Sequence, residues 1–285
     1  MATKTWFITG TSSGFGRQLT QLLLERGDRV AATLRKPEAI KDLADQYGAQ
    51  LWVRALDVTD TAQVREVVAA AFTDLGRIDA IVSNAGYGLF GAAEELSDEQ
   101  ISRQIDTNLV GSIQLARAVI PHLRAHGGGR IVQLSSMGGQ IAFPGASLYH
   151  ATKWGIEGFF ESVIPEIAAF GIEVTLVEPG GARTQFAGTS LAVAPPSDAY
   201  TEGVVGQMRQ FMTLAGVTAW PGDPIKIAQA IIDSTDQTPA PKRLLLGSDA
   251  YANVHAALTE RLAAVESQQE LAFSSDADDV IAARA

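Results

Sequence analysis

The chain has 285 residues, 46% hydrophobic and 19% charged, enough for one large α/β domain with a buried core. A formal net charge of -10 sets the surface as a whole against a polyanion such as DNA, and the lack of cysteine excludes disulfides and thiolate chemistry. No apolar run is long enough to span a bilayer, and Met1 to Trp6 enters a strand-like run without a charged-then-apolar signal, so the cytoplasm is the expected location.

Thr5–Thr9 reads as a short buried strand. Gly10-Thr11-Ser12-Ser13-Gly14-Phe15-Gly16 follows and opens a helix with Leu19, Leu22 and Leu23 on its inner face. Glycines permit a tight turn and close approach of backbone to a pyrophosphate, and a helix N-terminus adds N–H groups and a positive dipole end. Taken alone the loop is moderately specific, since a glycine-rich turn also occurs without a ligand; no Gly-Lys-Ser/Thr follows, so it is not a Walker A loop. The next strand, Arg29–Leu34, runs into Arg35 and Lys36. Dinucleotide enzymes that prefer NAD place a carboxylate near this strand end for the ribose 2′-OH. Here Leu34 stands at that place, and Arg35 is suited to gripping a 2′-phosphate bidentately. The bland alternative is a solvated helix entrance, which the absence of neighbouring acids in the sequence disfavours.

Further strands are expected at Gln50–Ala55, Ala80–Ser83, Arg130–Leu134, Ile172–Val177 and Arg243–Leu246. Helices alternate with them. Asp60 with Gln63, and Ser97 with Gln100, have capping-box spacing, and Gly27, Gly48 and Gly171 stand where helices should stop. One long helix begins near Ser97 and ends at Gly127-Gly128-Gly129. The alternation predicts a Rossmann-type α/β fold: a doubly wound parallel sheet of about seven strands with helices on both faces, in a single domain over 1–270. Within it, Gln185–Pro221 combines Phe186, Leu191, Val193, Met208, Phe211, Leu214 and Trp220 with breakers, and reads as a mobile helical substrate flap. The tail over 271–285, acidic at Ser274–Asp279, is expected to fray.

Tyr149-His150-Ala151-Thr152-Lys153 lies in a helical stretch, so the phenol and the ammonium share one face. A free tyrosine is a poor base at neutral pH, and a nearby ammonium should lower its pKa toward a useful range. Ser135 and Ser136 end a strand on the edge where parallel sheets bind ligands, and a hydroxyl there can hold a substrate oxygen. A Tyr-x-x-x-Lys pair alone is weak and equally describes a solvated helix face.

Taken together, and in this order, these motifs resemble the short-chain dehydrogenase/reductase superfamily, in its compact single-domain branch, from about Thr5 to Thr184. Thr9-Gly10-x-x-x-Gly14-x-Gly16 is similar to the family's cofactor loop. Asp57-Val58 resembles its adenine-contact pair, and Asn84-Ala85-Gly86 its Asn-Asn-Ala-Gly element with Ser83 replacing the first Asn. Asn108 lies in the long helix where the family has its proton-relay asparagine, and Ser136 precedes Tyr149 by the usual interval. Pro179-Gly180 with Thr184 resembles the turn that packs on nicotinamide. Ser12, Ser13 and Phe15 belong to the same loop. The resemblance implies NADP(H) or NAD(H) as cofactor and a tetrad: Tyr149 as general acid/base, Lys153 tuning it and binding the ribose, Ser136 orienting the substrate oxygen, Asn108 holding a water that links Lys153 to solvent. It also implies a homodimer or homotetramer. Stretches such as Val30–Arg35 and Asn84–Glu95 resemble the hydroxysteroid and retinol dehydrogenase-like members.

The expected function is NADP(H)-dependent hydride transfer to or from an apolar or aromatic ketone/secondary alcohol, with Tyr87, Phe90 and Phe143 beside the flap residues. The alternatives are an NADP(H)-binding sensor without turnover and a sugar-nucleotide epimerase, which normally carries a larger C-terminal domain. No Gly-x-Ser-x-Gly elbow supports a serine hydrolase. His122 and His126 have a metal-like spacing without a third ligand, so no metal is expected. His150 reads as packing or surface, Phe159-Phe160 as core or subunit contact, and Glu94-Glu95 as a solvated approach to the next helix.

Overall fold

The computed structural model describes residues 3–185, 190–215 and 219–284. Its strands in chain order are β1 (Thr5–Thr9), β2 (Arg29–Leu34), β3 (Leu51–Ala55), β4 (Ala80–Ser83), β5 (Gly88–Phe90), β6 (Gly129–Leu134), β7 (Ile172–Pro179), β8 (Leu191–Val193) and β9 (Arg243–Leu246). Seven of them form one parallel sheet in the order β3-β2-β1-β4-β6-β7-β9. Trp6, Phe7 and Ile8 of β1 are wholly buried, as are Ile81 and Val82 of β4. Continuous apolar runs of this kind belong to strands covered on both faces.

The helices are α1 (Gly14–Arg26), α2 (Lys41–Tyr47), α3 (Thr61–Leu75), α4 (Asp98–Ile105), α5 (Gly111–Ala125), α6 (Ser147–Ile167), α7 (Val204–Ala215), α8 (Pro224–Ser234), α9 (Ser248–Glu266), α10 (Gln269–Ser274) and α11 (Asp278–Arg284). On one face Val64, Val68, Leu115, Val119, Ile156 and Phe160 from α3, α5 and α6 pack onto Phe7, Ile81 and Ile131. On the other, Leu19 and Leu23 of α1 and Ile227 and Ile231 of α8 pack onto Ile8, Val30, Val82 and Val132. The strand order reverses between β1 and β4, so their C-terminal ends diverge and open a crevice there. No helix among the described residues is long and apolar enough to cross a membrane.

The long helix expected from Ser97 to Gly127 is divided: α4 passes through a π-turn at Asp106–Val110 into α5. Ser97 and Gln100 form a reciprocal capping box, whereas Asp60 caps α3 alone and the Gln63 side chain turns to the N–H of Asp57. The flap is not purely helical. Its β8 pairs in parallel with β5, both only three residues long, and α7 follows. Phe186 and the Leu214 side chain lie outside the described residues. The tail expected to fray is helical as α10 and α11, which good helix formers such as Glu270, Leu271 and Ala272, and acids in the first turn of α11, favour.

Candidate active site

The glycine turn joins β1 to α1 and closes against the end of β4. Gly10 has φ 72°, and a Cβ there would meet Ala85 Cα at 2.9 Å. A Cβ at Gly16 would collide with Gly10 O and Asn84 Nδ2. Asn84 Nδ2 donates to Thr9 O at 2.9 Å and Gly10 O at 3.1 Å, and Thr9 Oγ1 accepts the N–H groups of Asn84 and Ala85, both at 3.0 Å. The Asn84 side chain thus ties two strand ends together. The N-cap residue of α1, Ser13, makes no side-chain cap bond to the first turn, and Ser13, Gly14 and Phe15 at that helix start line the crevice.

That crevice has a volume of about 600 Å³. Ser12, Ser13, Gly14 and Phe15 line its floor, with Arg35, Asp57 and Val58 at one end. Ala85, Gly86, Tyr149, Lys153, Pro179, Gly180 and Thr184 line the remainder. Gly16 alone of the proposed cofactor residues lies behind the wall. Leu34 is only 3% exposed and belongs to the apolar cluster with Ile40 and Leu51, while Arg35 is exposed. The fold corrects one reading here: an acid does approach Arg35. Burial disfavours ionised Asp57, but the N–H and hydroxyl of Thr59 (3.0 and 2.8 Å) outweigh it. With the charges of Arg35 and Arg103 they hold the carboxyl below its usual range. Arg103, from α4, lines the same end of the crevice and adds a second cation.

Ser136 follows β6 with extended backbone, and its Oγ accepts the N–H of Gly138 at 3.0 Å. The same hydroxyl is hydrogen-bonded to the Tyr149 phenol, so strand end and helix face meet as their spacing implied. The acidity order differs from the expectation. Burial pushes Tyr149 up to about 12 against the opposing Ser136 bond, and burial pulls Lys153 down to about 8 against the attraction of Glu157. The physical reason is burial, which dominates both groups; Lys153 Nζ donates to Leu134 O at 2.8 Å and lies 5.7 Å from the tyrosine ring centre. Asn108 holds a turn with its side chain. It is buried outside the crevice lining, its Oδ1 accepts the Tyr87 N–H at 3.0 Å, and its Nδ2 donates to Tyr87 O at 2.8 Å. Its amide clamps the Tyr87 turn, so both ends of the side chain are engaged away from Lys153.

Several residues that shape the site carry no local signal. His150 is buried, with Nδ1 against Gly138 O at 2.9 Å and Nε2 accepting the Phe143 N–H at 3.2 Å, so it braces the loop after Ser136. Glu95 is the clearest correction: rather than being solvated, its side chain is 2% exposed and pairs with Arg209 of α7 at 2.8 Å. Its oxygens also accept the N–H groups of Ala92 and Ser197, both at 2.7 Å. Burial opposes ionisation of Glu95, yet those two N–H groups and the guanidinium hold its carboxyl below the ordinary range. The contact docks the flap, whose Met208 and Met212 face Phe90 and line the crevice with Tyr87, Leu89, Phe143, Leu191 and Trp220. Asp249 of α9 accepts the Gly181 N–H at 2.7 Å and braces the turn after Pro179. His122 and His126 stack on Phe72, and among the described residues no three His, Cys, Asp or Glu are grouped to hold a metal. Phe160 is core, with Phe159 packed against it.

The sequence model of the family described as short chain dehydrogenase matches residues 4–192. Oxidoreductase BOA17 of Botryotinia fuckeliana is 38% identical over 274 residues, spanning 96% of this chain and 99% of that protein. A 3-ketodihydrosphingosine reductase of Bacteroides thetaiotaomicron is 37% identical over 179 residues, 63% of this chain and 64% of that one. Among solved structures, a short-chain dehydrogenase from Streptomyces avermitilis superposes with a TM-score of 0.90 at 36% identity, over 97% of this chain and 100% of that chain. NADP-bound ElxO superposes with a TM-score of 0.70 at 25% identity, over 86% and 97% of the two chains. With the crevice, the glycine turn and the Ser136–Tyr149–Lys153 group in one place, the chain belongs to the short-chain dehydrogenase/reductase family of oxidoreductases.

Proposed function

We propose that the protein is an NADP(H)-dependent oxidoreductase that interconverts an apolar or aromatic ketone and its secondary alcohol. The observation that carries this reading is the Ser136–Tyr149 hydrogen bond inside a crevice walled by a glycine turn on one side and an apolar flap on the other. The residues present fit a dinucleotide. Backbone crowds Gly10 and Gly16 so closely that no Cβ is tolerated, and the uncapped start of α1 offers N–H groups to a pyrophosphate. Arg35, supported by Arg103, would take a 2′-phosphate with charge-assisted bonds, which favours NADP(H) over NAD(H). ElxO, at 25% identity, was solved with NADP bound.

Bound nicotinamide supplies the hydride in reduction and accepts it in oxidation. The protein's part is the proton. Tyr149, kept neutral by burial, donates from Oη to the carbonyl oxygen as the carbonyl carbon is reduced, and solvent then restores the phenol's proton. Ser136 Oγ, which points at the phenol, holds the same oxygen in line. The Lys153 ammonium offsets the negative charge left on the tyrosine. In oxidation the proton moves the other way. Phe143, Met208, Met212 and Trp220 exclude water from the reacting oxygen and select apolar substituents.

The test is kcat/KM for a panel of ketones, from small to bulky aromatic, with NADPH and with NADH. The reading expects turnover with NADPH, at least tenfold better than with NADH, and best for bulky apolar ketones. Absence of turnover across the panel with tight NADPH binding would favour a non-catalytic sensor, and preference for NADH would overturn the role of Arg35.

A further inference from the structure

Next to the crevice, but outside its lining, lies a buried group of charges that the proposed chemistry does not use. Glu157 stands one helical turn beyond Lys153 on α6, and Glu178 is the residue before Pro179 on β7. Their side chains are 5% and 2% exposed. Glu157 accepts the Ser135 hydroxyl at 2.6 Å, the Gln140 amide, and Arg243 Nη2 at 3.1 Å. Glu178 accepts Arg243 Nε at 2.9 Å and Gln140 Nε2 at 3.3 Å. Arg243, on β9, also pairs with Glu161 at 2.6 Å, and Glu161 with Lys242. From α9, Arg261 donates to Gln140 O. His150 reaches the same loop through Gly138 O. These are the charged and titratable groups that face Glu157 from α6, β7, β9, α9 and the loop after β6.

The group touches each wall of the site. Ser135 adjoins Ser136, and Gln140 ends the turn that follows it. A Cβ at Gly139 would collide with Glu157 Oε1, so the carboxylate fills the underside of the Ser136 loop. Glu178 leads into the Pro179–Gly180 turn. Burying two carboxylates beside one arginine is costly, and packing alone would be served as well by apolar side chains. The cost calls for a role in charge. Burial pulls Lys153 down to about 8, and the Glu157 charge opposes that fall. Burial and the neighbouring Glu157 charge push Glu178 up to about 7, so Glu178 is the member that takes up a proton near neutrality.

We propose that Glu157 is a positioning residue for the reaction: its carboxylate, one helical turn from the buried Lys153 and clamped beneath the Ser136 loop by Ser135, Gln140 and Arg243, sets an opposite charge beside the lysine. This rests on the assignment of Tyr149 and Lys153 in the preceding section.

The experiment follows the 13Cε shift of Lys153 against pH in the labelled full-length chain, a readout that needs no turnover. Glu157→Gln lowers the Lys153 midpoint by about one pH unit or more, the size expected from removing a neighbouring opposite charge. Glu157→Met, better suited to a buried site, reads the same shift where the Gln variant does not fold. Glu178→Gln leaves the midpoint close to that of the unmodified chain. The alkaline limb of kcat/KM for alcohol oxidation moves down in pH with the lysine in the Glu157 variants. An unmoved midpoint in both Glu157 variants, or an equal shift in Glu178→Gln, overturns the proposal. Retained turnover in Tyr149→Phe would instead break the assignment beneath it, whereas an inactive Tyr149→Phe with an unmoved lysine breaks this inference alone.

Discussion

Replacing Glu95 by Ala should detach the flap without unfolding the Rossmann core. Glu95 Oε2 receives Arg209 at 2.8 Å and the Ala92 N–H at 2.7 Å, and Oε1 receives the Ser197 N–H at 2.7 Å. The substitution removes one buried member of an ion pair and the acceptor of two backbone donors. Breaking a buried pair from one side costs about 3–5 kcal/mol. Glu95 lies close beneath the surface, where water can replace part of what is lost, so about 3 kcal/mol is the appropriate figure. Among the described residues the attachments that remain include the three-residue pairing of β5 with β8, the Ala194 N–H donating to Phe90 O at 2.8 Å, and the packing of Val205, Met208 and Met212 on Phe90 and Ala92. The loss therefore falls on flap docking. About 3 kcal/mol lowers a docked population by up to about a hundredfold when docking was only modestly favourable. KM for a bulky aromatic ketone should rise about 10- to 100-fold, with kcat at saturation within about twofold. KM for a small ketone that does not reach Met208 and Met212 should stay nearly constant. Hydrogen exchange should quicken in 191–215 and remain slow in β1, β4 and β6. Unchanged KM for the bulky ketone together with unchanged exchange in the flap would refute the reasoning.

Three further outcomes follow from the same geometry. Arg35→Ala should raise KM for NADPH about tenfold, the low end for a charge-assisted phosphate contact because Arg103 remains nearby, and leave KM for NADH unaltered; steady-state kinetics with both cofactors decide it. Glu178 lies at about 7 in the folded chain against an ordinary 4.5, so its stabilising contribution is complete below its ordinary value and is lost as pH rises through neutrality. That difference corresponds to about 3 kcal/mol, and Glu178→Gln should be the more stable form at about pH 8, with chemical denaturation at several pH values as the check. Gly16→Ala, whose methyl meets Gly10 O and Asn84 Nδ2, should lose about 1–3 kcal/mol of stability and weaken NADPH binding, read by thermal melting and fluorescence titration.

What the sequence made legible is what short-range spacing encodes. The strand–turn–helix around Gly10–Gly16, the shared face of Tyr149 and Lys153 and the strand ending at Ser136 each depend on neighbours within a turn or two of chain. The seven-strand sheet follows from buried runs alternating with amphipathic helices. Contacts between distant segments carry no such signature. Glu95 and Arg209 are 114 residues apart, and Glu157 and Arg243 are 86 apart. Nothing near Glu95 distinguishes it from the solvated Glu94 before α7 is folded over it. The approach of Asp57 to Arg35 arises only because β2 and β3 lie side by side in the sheet. The lowering expected for Tyr149 is absent for the same reason: spacing says that an ammonium is near a phenol, but burial, which dominates both groups, is a property of the folded chain. β5 and β8 escaped notice because three residues are too few to show a period.

The central claim is that Tyr149 supplies the proton in an NADP(H)-linked carbonyl reduction. It is tested most directly by comparing NADPH oxidation by the unmodified chain and by Tyr149→Phe with the same bulky aromatic ketone, with NADPH affinity measured alongside. The account predicts a fall in kcat of about 10²–10⁴-fold at nearly unchanged NADPH affinity, because the ring still fills its place while the donor is gone. Turnover within a few-fold of the unmodified chain would contradict it.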